Sequence, residues 1–417
     1  MAKPQHLVAL GIVSAPEYLE RRAGSRASWL TWPNICRSGC AFSAQFVVRS
    51  RGAPPSVEKL LQQEERGHGD VLRVDVRWNE TRLRGPVMSV AAWLAYASRA
   101  HASARCVAKL DDDAYIYTPG LEVLMHQALN VAPTPEALYM GPMSWFHWYE
   151  KIYERSGFGW TYTMAWHLGR SCRNVTESEL RCKGRGCGGC VGPFPFSSGY
   201  LSILATPLAA EVASSATLIA DVERLATIDS LPTRTGGKQP KIMEDIWMGS
   251  LLYRRPPSRP LSYVALSEGN DPALVSDGWG LKVSKSSVVV HVKNHQTGKQ
   301  LERFLATHAF KQASHCVEHY AVRCTRGCTA FFSAGENETL LRSERFGNLW
   351  RSRLGNSSLC SGSQAEAAFC RVTLERPRLC PHKPKDLLND DAHLLQTHSH
   401  AQQLLETLRV AKESLQS

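Results

Sequence analysis

The sequence predicts an α/β protein whose central sheet is mostly parallel and covered by helices on both faces. Two observations lead to this prediction: short apolar runs alternate with helix-like segments in the first third of the chain, and an acidic cluster follows the fourth apolar run. The chain has 417 residues, of which 43% are hydrophobic. It is therefore long enough for one large globular domain with an appendage, or for two domains.

The elements of the first third follow one another in a regular order. Residues 7–13 are predicted as a buried strand, and Ser14-Ala15-Pro16-Glu17 is a start signal for a basic helix. Further strands are predicted at residues 42–48, 71–74 and 105–110, with helices between them at 57–65 and 87–101. In a sheet of this type ligands bind at the carboxyl ends of the strands, which is where the acidic cluster lies.

The rest of the chain divides by composition. Helices are predicted at residues 121–130, 208–226 and 242–253, and strands at 138–141, 200–205 and 287–292. We predict a first domain over residues 1–310, with a Cys-rich insertion at about 170–192. Cysteine, arginine, serine and glycine are frequent in residues 311–384, which predicts a small disulfide-stapled C-terminal module. The leucine spacing of residues 385–417 predicts an amphipathic helical tail.

The chain is basic, with 49 Lys and Arg residues against 38 Asp and Glu residues and a formal net charge of +11. Such an excess suggests an anionic partner: nucleic acid, an acidic membrane surface or the phosphates of a nucleotide. The sequence contains no block of five or more Lys or Arg residues and no zinc-finger, basic-zipper or RNA-recognition signature. We therefore do not expect nucleic acid as a partner.

Thirteen cysteines predict disulfide bonds and an oxidising compartment. Most of them fall in two clusters, one at Cys172, Cys182, Cys187 and Cys190 and the other at Cys316, Cys324, Cys328, Cys360, Cys370 and Cys380. A zinc site in the first cluster is an open alternative, although that cluster lacks paired Cys-x2-Cys knuckles. Because the total is odd, one thiol at least is free or paired outside the chain, and Cys106 is our candidate.

Four glycosylation sequons, which begin at Asn79, Asn174, Asn337 and Asn356, favour the same compartment. The first apolar run is too short to span a bilayer, and neither a signal peptide nor a transmembrane helix is recognisable. A glycosylated and disulfide-bonded chain must still enter the secretory pathway. We therefore expect membrane association through an N-terminal anchor that is not visible in this sequence.

Three consecutive carboxylates, Asp111, Asp112 and Asp113, follow the strand predicted at residues 105–110. Adjacent ionised carboxylates repel one another, and a divalent metal would offset that repulsion and bridge to the phosphates of a nucleotide. Alternate residues of an extended segment point the same way, so we expect Asp111 and Asp113 to share one side. A solvated acidic turn or a helix N-cap is the alternative interpretation.

A second acidic pair, Glu244 and Asp245, begins the apolar helix predicted at residues 242–253. Carboxylates in a first helical turn commonly interact with the helix dipole, so capping is the alternative to a catalytic role. Gly184-x-Gly186-x-x-Gly189 matches a dinucleotide fingerprint in its letters only, because no strand precedes it.

Six motifs in a fixed order give the chain a family resemblance. They are Ser14-Ala15-Pro16 with Arg21-Arg22 and Arg26 to Trp29, Glu64-Glu65 with His68 to Leu72, Lys109-Leu110-Asp111-Asp112-Asp113, Pro193 to Tyr200, Glu244-Asp245-Ile246-Trp247-Met248-Gly249, and His291-Val292-Lys293-Asn294. Across residues 7–295 the chain resembles the inverting β-1,3-galactosyltransferase, N-acetylglucosaminyltransferase and fringe-type family, whose catalytic domain has the GT-A nucleotide-sugar-binding fold. The collinear order of the motifs makes the resemblance specific.

The resemblance implies a site for a UDP-sugar donor and a divalent cation, Mn²⁺ or another. Asp111, Asp113 and His291 correspond to the metal ligands, and carboxylate and imidazole groups suit Mn²⁺. Asp111 also corresponds to a residue that contacts the donor ribose.

The resemblance also assigns the donor contacts and the base. Asp112, Arg21, Arg22 and Arg26 are expected near the nucleotide, although a solvated helix face explains the three arginines equally well. Asp245 corresponds to the general base that removes the proton of the acceptor hydroxyl. One departure concerns Gly199, since the family usually has a second glycine before the tyrosine at this point.

The implied activity is a metal-dependent, inverting hexosyltransferase reaction on a glycan or glycoprotein acceptor, with a β-1,3 linkage as the simplest product. The donor sugar is galactose as first choice, or N-acetylglucosamine or N-acetylgalactosamine. By resemblance we expect a type II membrane protein in the Golgi lumen. The alternative is a glycan-binding or chaperone-like member of the same fold without catalytic turnover.

Overall fold

The computed structural model describes a large part of the chain in twelve stretches. They are residues 6–37, 39–80, 85–149, 190–228, 244–254, 257–268, 275–277, 283, 286–292, 300–313, 320–326 and 367–374. The predicted helical tail and most of the predicted Cys-rich insertion lie outside these residues.

Two sheets are formed by the strands that the structure describes. These strands are β1 (Val8–Ser14), β2 (Phe42–Arg51), β3 (Val71–Arg77), β4 (Cys106–Asp111), β5 (Ala114–Ile116), β6 (Leu138–Tyr149), β7 (Cys190–Ser197), β8 (Ser202–Ala205), β9 (Ser262–Glu268), β10 (Val275–Asp277), β11 (Val289–His291), β12 (Tyr320–Arg326) and β13 (Ala368–Leu374). The large sheet has the order β12-β13-β9-β6-β8-β4-β1-β2-β3, with β7 paired to β6, and the small sheet has the order β10-β11-β5.

Most strands of the large sheet run in one direction. Parallel pairings join β4, β1, β2 and β3, and further parallel pairings join β6, β9 and β13. Strand β8 runs the opposite way between these two groups, and β7 and β12 are also antiparallel to their neighbours. The predicted α/β class with a mostly parallel central sheet is therefore confirmed.

The helices in the described ranges are α1 (Leu19–Arg26), α2 (Pro55–His68), α3 (Gly85–Ala100), α4 (Thr118–Val131), α5 (Thr206–Ala213), α6 (Ala216–Ile228), α7 (Glu244–Arg254) and α8 (Gln300–Ala313). The chain moves outward from β1 to β3 and then returns across the sheet to β4. Right-handed crossovers therefore put α1 and α2 on one face and α3 on the other. In agreement, α1 packs against α8 whereas α3 packs against α5.

The packing of α3 on the sheet depends on one tryptophan and one glycine. Trp93 is fully buried, and its indole N–H donates to the Ala108 carbonyl of β4 at 2.9 Å. A Cβ added to Gly11 of β1 would lie 2.2 Å from the Trp93 ring. Only glycine therefore fits at this position, and the contact fixes the height of α3 above the two central strands.

Two disulfide bonds occur in the described part of the chain. Cys36–Cys40 closes a short loop before β2, and Cys324–Cys370 joins β12 to β13 at paired positions of the sheet. Cys106 is a buried free thiol, as predicted. The boundary predicted at residue 310 stays a prediction, but β12 and β13, which lie beyond it, extend the central sheet.

Candidate functional site

The acidic cluster lies at the carboxyl end of β4, beside the end of β1. Asp111 is the last residue of β4 and is in register with Val13 of β1. Asp112 and Asp113 form the turn that leads into β5. The backbone N–H of Val292 donates to the Asp113 carbonyl at 2.8 Å, so the end of β11 reaches the same place.

Asp113 and His291, two of the three predicted metal ligands, are in contact. His291 Nε2 lies 3.3 Å from Asp113 Oδ1. The ring of Tyr200 stacks on the imidazole, with the centroids 5.0 Å apart and the planes inclined by 19°. This stacking holds the imidazole in one orientation, so that a carboxylate oxygen and a ring nitrogen face the same point.

The third predicted ligand, Asp111, is held by a buried lysine. Lys109 Nζ donates to Asp111 Oδ1 at 2.5 Å. Among the described residues, Asp111 Oδ2 has no hydrogen-bond partner, and the Asp111 side chain is 34% exposed. Asp111 is thus accessible to a ligand, although it does not touch His291 through any contact described.

Asp112 faces inward and is bound from two sides. Ser14 Oγ donates to Asp112 Oδ2 at 2.7 Å, and Arg21 Nη1 donates to Asp112 Oδ1 at 2.7 Å. The same guanidinium nitrogen lies 3.3 Å from Asp113 Oδ2. The pKa of Asp112 is raised to about 6. Burial is the main cause, the Asp113 charge acts in the same direction, and Arg21 opposes both.

The start of α7 brings Glu244 and Asp245 to the same edge of the sheet. Glu244 Oε1 accepts from Lys109 Nζ at 2.6 Å. Asp245 is buried, with Oδ1 accepting from the backbone N–H of Ile246 at 2.7 Å. Burial, followed by the neighbouring Glu244 charge, raises the pKa of Asp245 to about 7. A carboxylate with this pKa is suited to accept a proton near neutral pH.

Arg22 and Arg26 have protein partners. Arg22 is fully buried and donates to both oxygens of Glu64 at 2.8 and 2.9 Å and to the carbonyls of Ala15 and Pro16. Arg26 donates to Glu64 and, through two nitrogens, to Asp70. These contacts fix the turn after β1, and direct contact of either arginine with a nucleotide stays a prediction.

Two residues of the predicted motifs have contacts at the site that the sequence did not assign. Arg21, the neighbour of Arg22, is the arginine that reaches the carboxylates, and it also lies 4.3 Å over the Tyr18 ring. Lys109 stands two residues before Asp111 and connects it to α7. A lysine inside a buried strand is an unusual residue, and this was the signal available in the sequence.

The chemistry of the site fits a divalent cation. In the described part of the chain no three Asp, Glu, His or Cys side chains stand close enough together to form a metal-binding group. Burial, and after it the neighbouring carboxylates, nevertheless raise the pKa of Asp112 and of Asp245. The cluster thus has more acidic groups than the two cations Arg21 and Lys109 balance. Asp113 and His291 supply the oxygen and nitrogen donors that such an ion prefers.

One family model matches part of the chain. Residues 20–213, somewhat less than half of the chain, match the family model described as Galactosyltransferase. Over this segment the chain is similar to that family, and Glu244, Asp245 and His291 lie beyond the matched residues. The matched galactosyltransferase segment contains the acidic cluster and Tyr200, and the match agrees with the GT-A fold predicted from the sequence and supports glycosyltransferase activity. No curated protein matches the chain.

Several solved glycosyltransferase structures are similar to this chain at low identity. A galactosyltransferase, LgtC, solved with donor and acceptor sugar analogues, is 9% identical with a TM-score of 0.35, over 72% of this chain and 95% of that chain. The WbbM bifunctional glycosyltransferase is 11% identical with a TM-score of 0.34, over 74% and 51%. Mouse xyloside xylosyltransferase 1 is 11% identical with a TM-score of 0.30, over 69% and 96%. Similarity at these scores assigns no ligand and no residue role.

No helix in the described ranges is both long enough and apolar enough to cross a bilayer.

Proposed function

We propose that the chain is a metal-dependent, inverting glycosyltransferase that moves a hexose or N-acetylhexosamine from a UDP-sugar to a glycan or glycoprotein. Galactose is the first donor to test, and a β-1,3 linkage is the simplest product. The protein would work in the Golgi lumen. These finer points extend the glycosyltransferase activity that the family match supports.

One observation carries the proposal: groups from three distant segments meet at the carboxyl end of β4. Asp113 contacts His291 at 3.3 Å. Lys109 joins Asp111 to Glu244, which precedes Asp245 in α7. A donor-binding carboxylate and a candidate base thus occupy one edge of the sheet, where α/β proteins bind their ligands.

In this proposal one set of residues binds the donor, and another residue activates the acceptor. Asp113 and His291 would hold a divalent cation together with Asp111, and that cation would act as a Lewis acid for the departing diphosphate. Arg21 lies beside these carboxylates with a side chain that is 28% exposed, so it can reach a phosphate oxygen. Asp245 takes the proton of the acceptor hydroxyl as that oxygen attacks the anomeric carbon from the opposite face.

The proposal is tested by the thermal stability of the oxidised, secreted full chain. UDP-galactose, UDP-N-acetylglucosamine, UDP-N-acetylgalactosamine, UDP-glucose and UDP are each added with and without Mn²⁺. A ligand at about a hundredfold excess over its dissociation constant adds about 2.7 kcal/mol to the free energy of unfolding. We expect one UDP-sugar to stabilise the protein, and to do so only when Mn²⁺ is present.

The stabilising donor is then used in transfer assays on a panel of glycan acceptors. Product with inverted anomeric configuration would support the full proposal. Folded protein that no nucleotide stabilises would contradict donor binding and leave a non-catalytic glycan-binding protein.

A further inference from the structure

The strongest unassigned contact in the site is the triple hydrogen bond of the Lys109 ammonium. Its Nζ lies 2.5 Å from Asp111 Oδ1, 2.6 Å from the Gly199 carbonyl and 2.6 Å from Glu244 Oε1. A lysine ammonium has three N–H donors, and these three acceptors use all of them. The Lys109 side chain is only 4% exposed, so it has no freedom to leave for solvent.

Lys109 remains charged in this buried place. Burial alone would lower the pKa of Lys109, but the adjacent Asp111 and Glu244 carboxylates raise it above its ordinary value. A buried ammonium with two carboxylate partners resists removal of any one group, because the others would be left buried without a counter-charge. The three acceptors are therefore held at fixed positions relative to one another.

The three acceptors come from three different parts of the site. Asp111 ends β4, Gly199 lies in the turn between β7 and β8, and Glu244 begins α7. The residue after Gly199, Tyr200, stacks on His291. The residue after Glu244 is the candidate base Asp245.

A side chain at position 199 would crowd the charged groups of this contact. A Cβ there would lie 2.8 Å from Glu244 Oε1, 3.0 Å from Asp111 Oδ2 and 3.2 Å from Lys109 Nζ. All three charged groups thus converge on the Gly199 backbone. This segment has a single glycine where the family that the chain resembles usually has two, and that glycine is the residue in this contact.

We propose that Lys109 is a positioning residue that couples the donor side of the site to the base side, by fixing the start of α7 against Asp111 and the Gly199 turn. This inference rests on the proposed function. Lys109 touches no reacting atom; it acts through Glu244, which sets where Asp245 meets the acceptor hydroxyl. Misplacement of a catalytic group by about 1 Å can cost about a hundredfold in rate.

The test uses Glu244, because Lys109→Met leaves the Asp111 and Glu244 carboxylates without their cation and would destabilise the whole protein. Glu244→Ala removes the acceptor, whereas Glu244→Gln keeps an oxygen of the same reach for Lys109. We expect Glu244→Ala to lower kcat by about tenfold to a hundredfold while the affinity for UDP with Mn²⁺ changes by less than about threefold. Glu244→Gln should recover most of kcat.

A matched control is Glu302→Ala, which removes an exposed carboxylate from the first turn of α8. It should leave kcat within about twofold, since only a helix-dipole interaction is lost. Unchanged kcat in Glu244→Ala, or equal losses in the Ala and Gln variants, would overturn the positioning role.

Amide hydrogen exchange separates this inference from the proposed function. If Lys109 fixes the start of α7, the Ile246 and Trp247 amides exchange faster in Glu244→Ala than in the unaltered chain, with or without nucleotide. Absence of UDP binding and of transfer in the unaltered chain would defeat the proposed function alone. Unchanged exchange at these amides in Glu244→Ala would defeat the coupling, whatever the activity.

Discussion

Two buried clusters of charge lie near the carboxyl ends of the central strands, and they differ in balance. In the first, Arg22 and Arg26 meet Glu64 and Asp70, so that two cations face two anions. Burial alone would raise the pKa of Glu64, but its arginine partners lower it below the ordinary value. The positive and negative charges of this cluster are equal in number, and its contacts hold the turn after β1.

The second cluster has an excess of acid. Five carboxylates, Asp111, Asp112, Asp113, Glu244 and Asp245, share two cationic partners, Arg21 and Lys109. Here the pKa of Asp112 rises to about 6 and that of Asp245 to about 7, in both cases first through burial. A contribution to stability is enough to explain the balanced cluster. Buried carboxylates with raised pKa values, as in the second cluster, mark a candidate functional site.

The largest effect expected is in the acidic cluster. Asp245→Asn keeps the size of the side chain but removes the base, so kcat should fall by about 10²- to 10⁴-fold. UDP binding with Mn²⁺ should persist, since Asp245 is not a predicted donor ligand. Steady-state transfer assays and nucleotide titrations measure the two quantities separately. A variant that transfers sugar at the unaltered rate would remove Asp245 from the mechanism.

The balanced cluster should respond in stability instead. Arg22→Met leaves Glu64 buried with one cation fewer, and we expect a loss of about 3–5 kcal/mol in the free energy of unfolding, measured by urea denaturation. Arg51→Met is the control, because Arg51 is half exposed and lies 3.7 Å from the exposed Asp75. That variant should lose less than about 1 kcal/mol. If both variants lose the same free energy of unfolding, burial of the ion pair does not explain the effect of Arg22→Met.

The pH profile sharpens the comparison further. Asp245 must be ionised to accept a proton, so activity should rise with pH through about 7, the pKa of this carboxyl. Its pKa in the unfolded chain is lower, so this group contributes stability at acidic pH that is lost as the pH rises towards 7. Rate measurements from pH 5 to 9 test the first statement. A rate that does not change over this range would show that the pKa of the catalytic base is not raised to about 7.

The smallest expected effect concerns Arg21, which bridges Asp112 and Asp113. Arg21→Met removes a competing cation, so Mn²⁺ alone should bind about fivefold more tightly, which corresponds to about 1 kcal/mol. UDP with Mn²⁺ should bind more weakly, because a phosphate partner is lost. Calorimetric titrations give both affinities. Arg259→Met, at an exposed pair with Glu136, controls for the change in net charge; a shift of the same size there would contradict the local effect.

The sequence predicted the members of the site better than their contacts. Strand-end carboxylates at Asp111 and Asp113 and an acidic helix start at Asp245 follow from local pattern and family resemblance. The contact of Asp113 with His291 depends on β11 pairing with β5, a long-range register that no local pattern contains. Helix α8 was not predicted at all.

The arginines of α1 illustrate the same limit. Arg21 and Arg22 are adjacent, and successive residues of a helix point about 100° apart. Which of them faces Glu64 and which faces Asp112 depends on how α1 sits against β1, β4 and α2. Sequence pattern therefore named the basic helix, but only the packed structure shows that Arg21 reaches the acidic cluster.

The disulfide between β12 and β13 has a consequence for proteolysis. Cys324 and Cys370 are separated by 46 positions and are paired across neighbouring strands. A single cut anywhere between them leaves both strands attached to the sheet through sulfur. Nicked protein would run as one band in a non-reducing gel and as two bands after reduction, so an intact band in the absence of reductant says nothing about the continuity of the backbone.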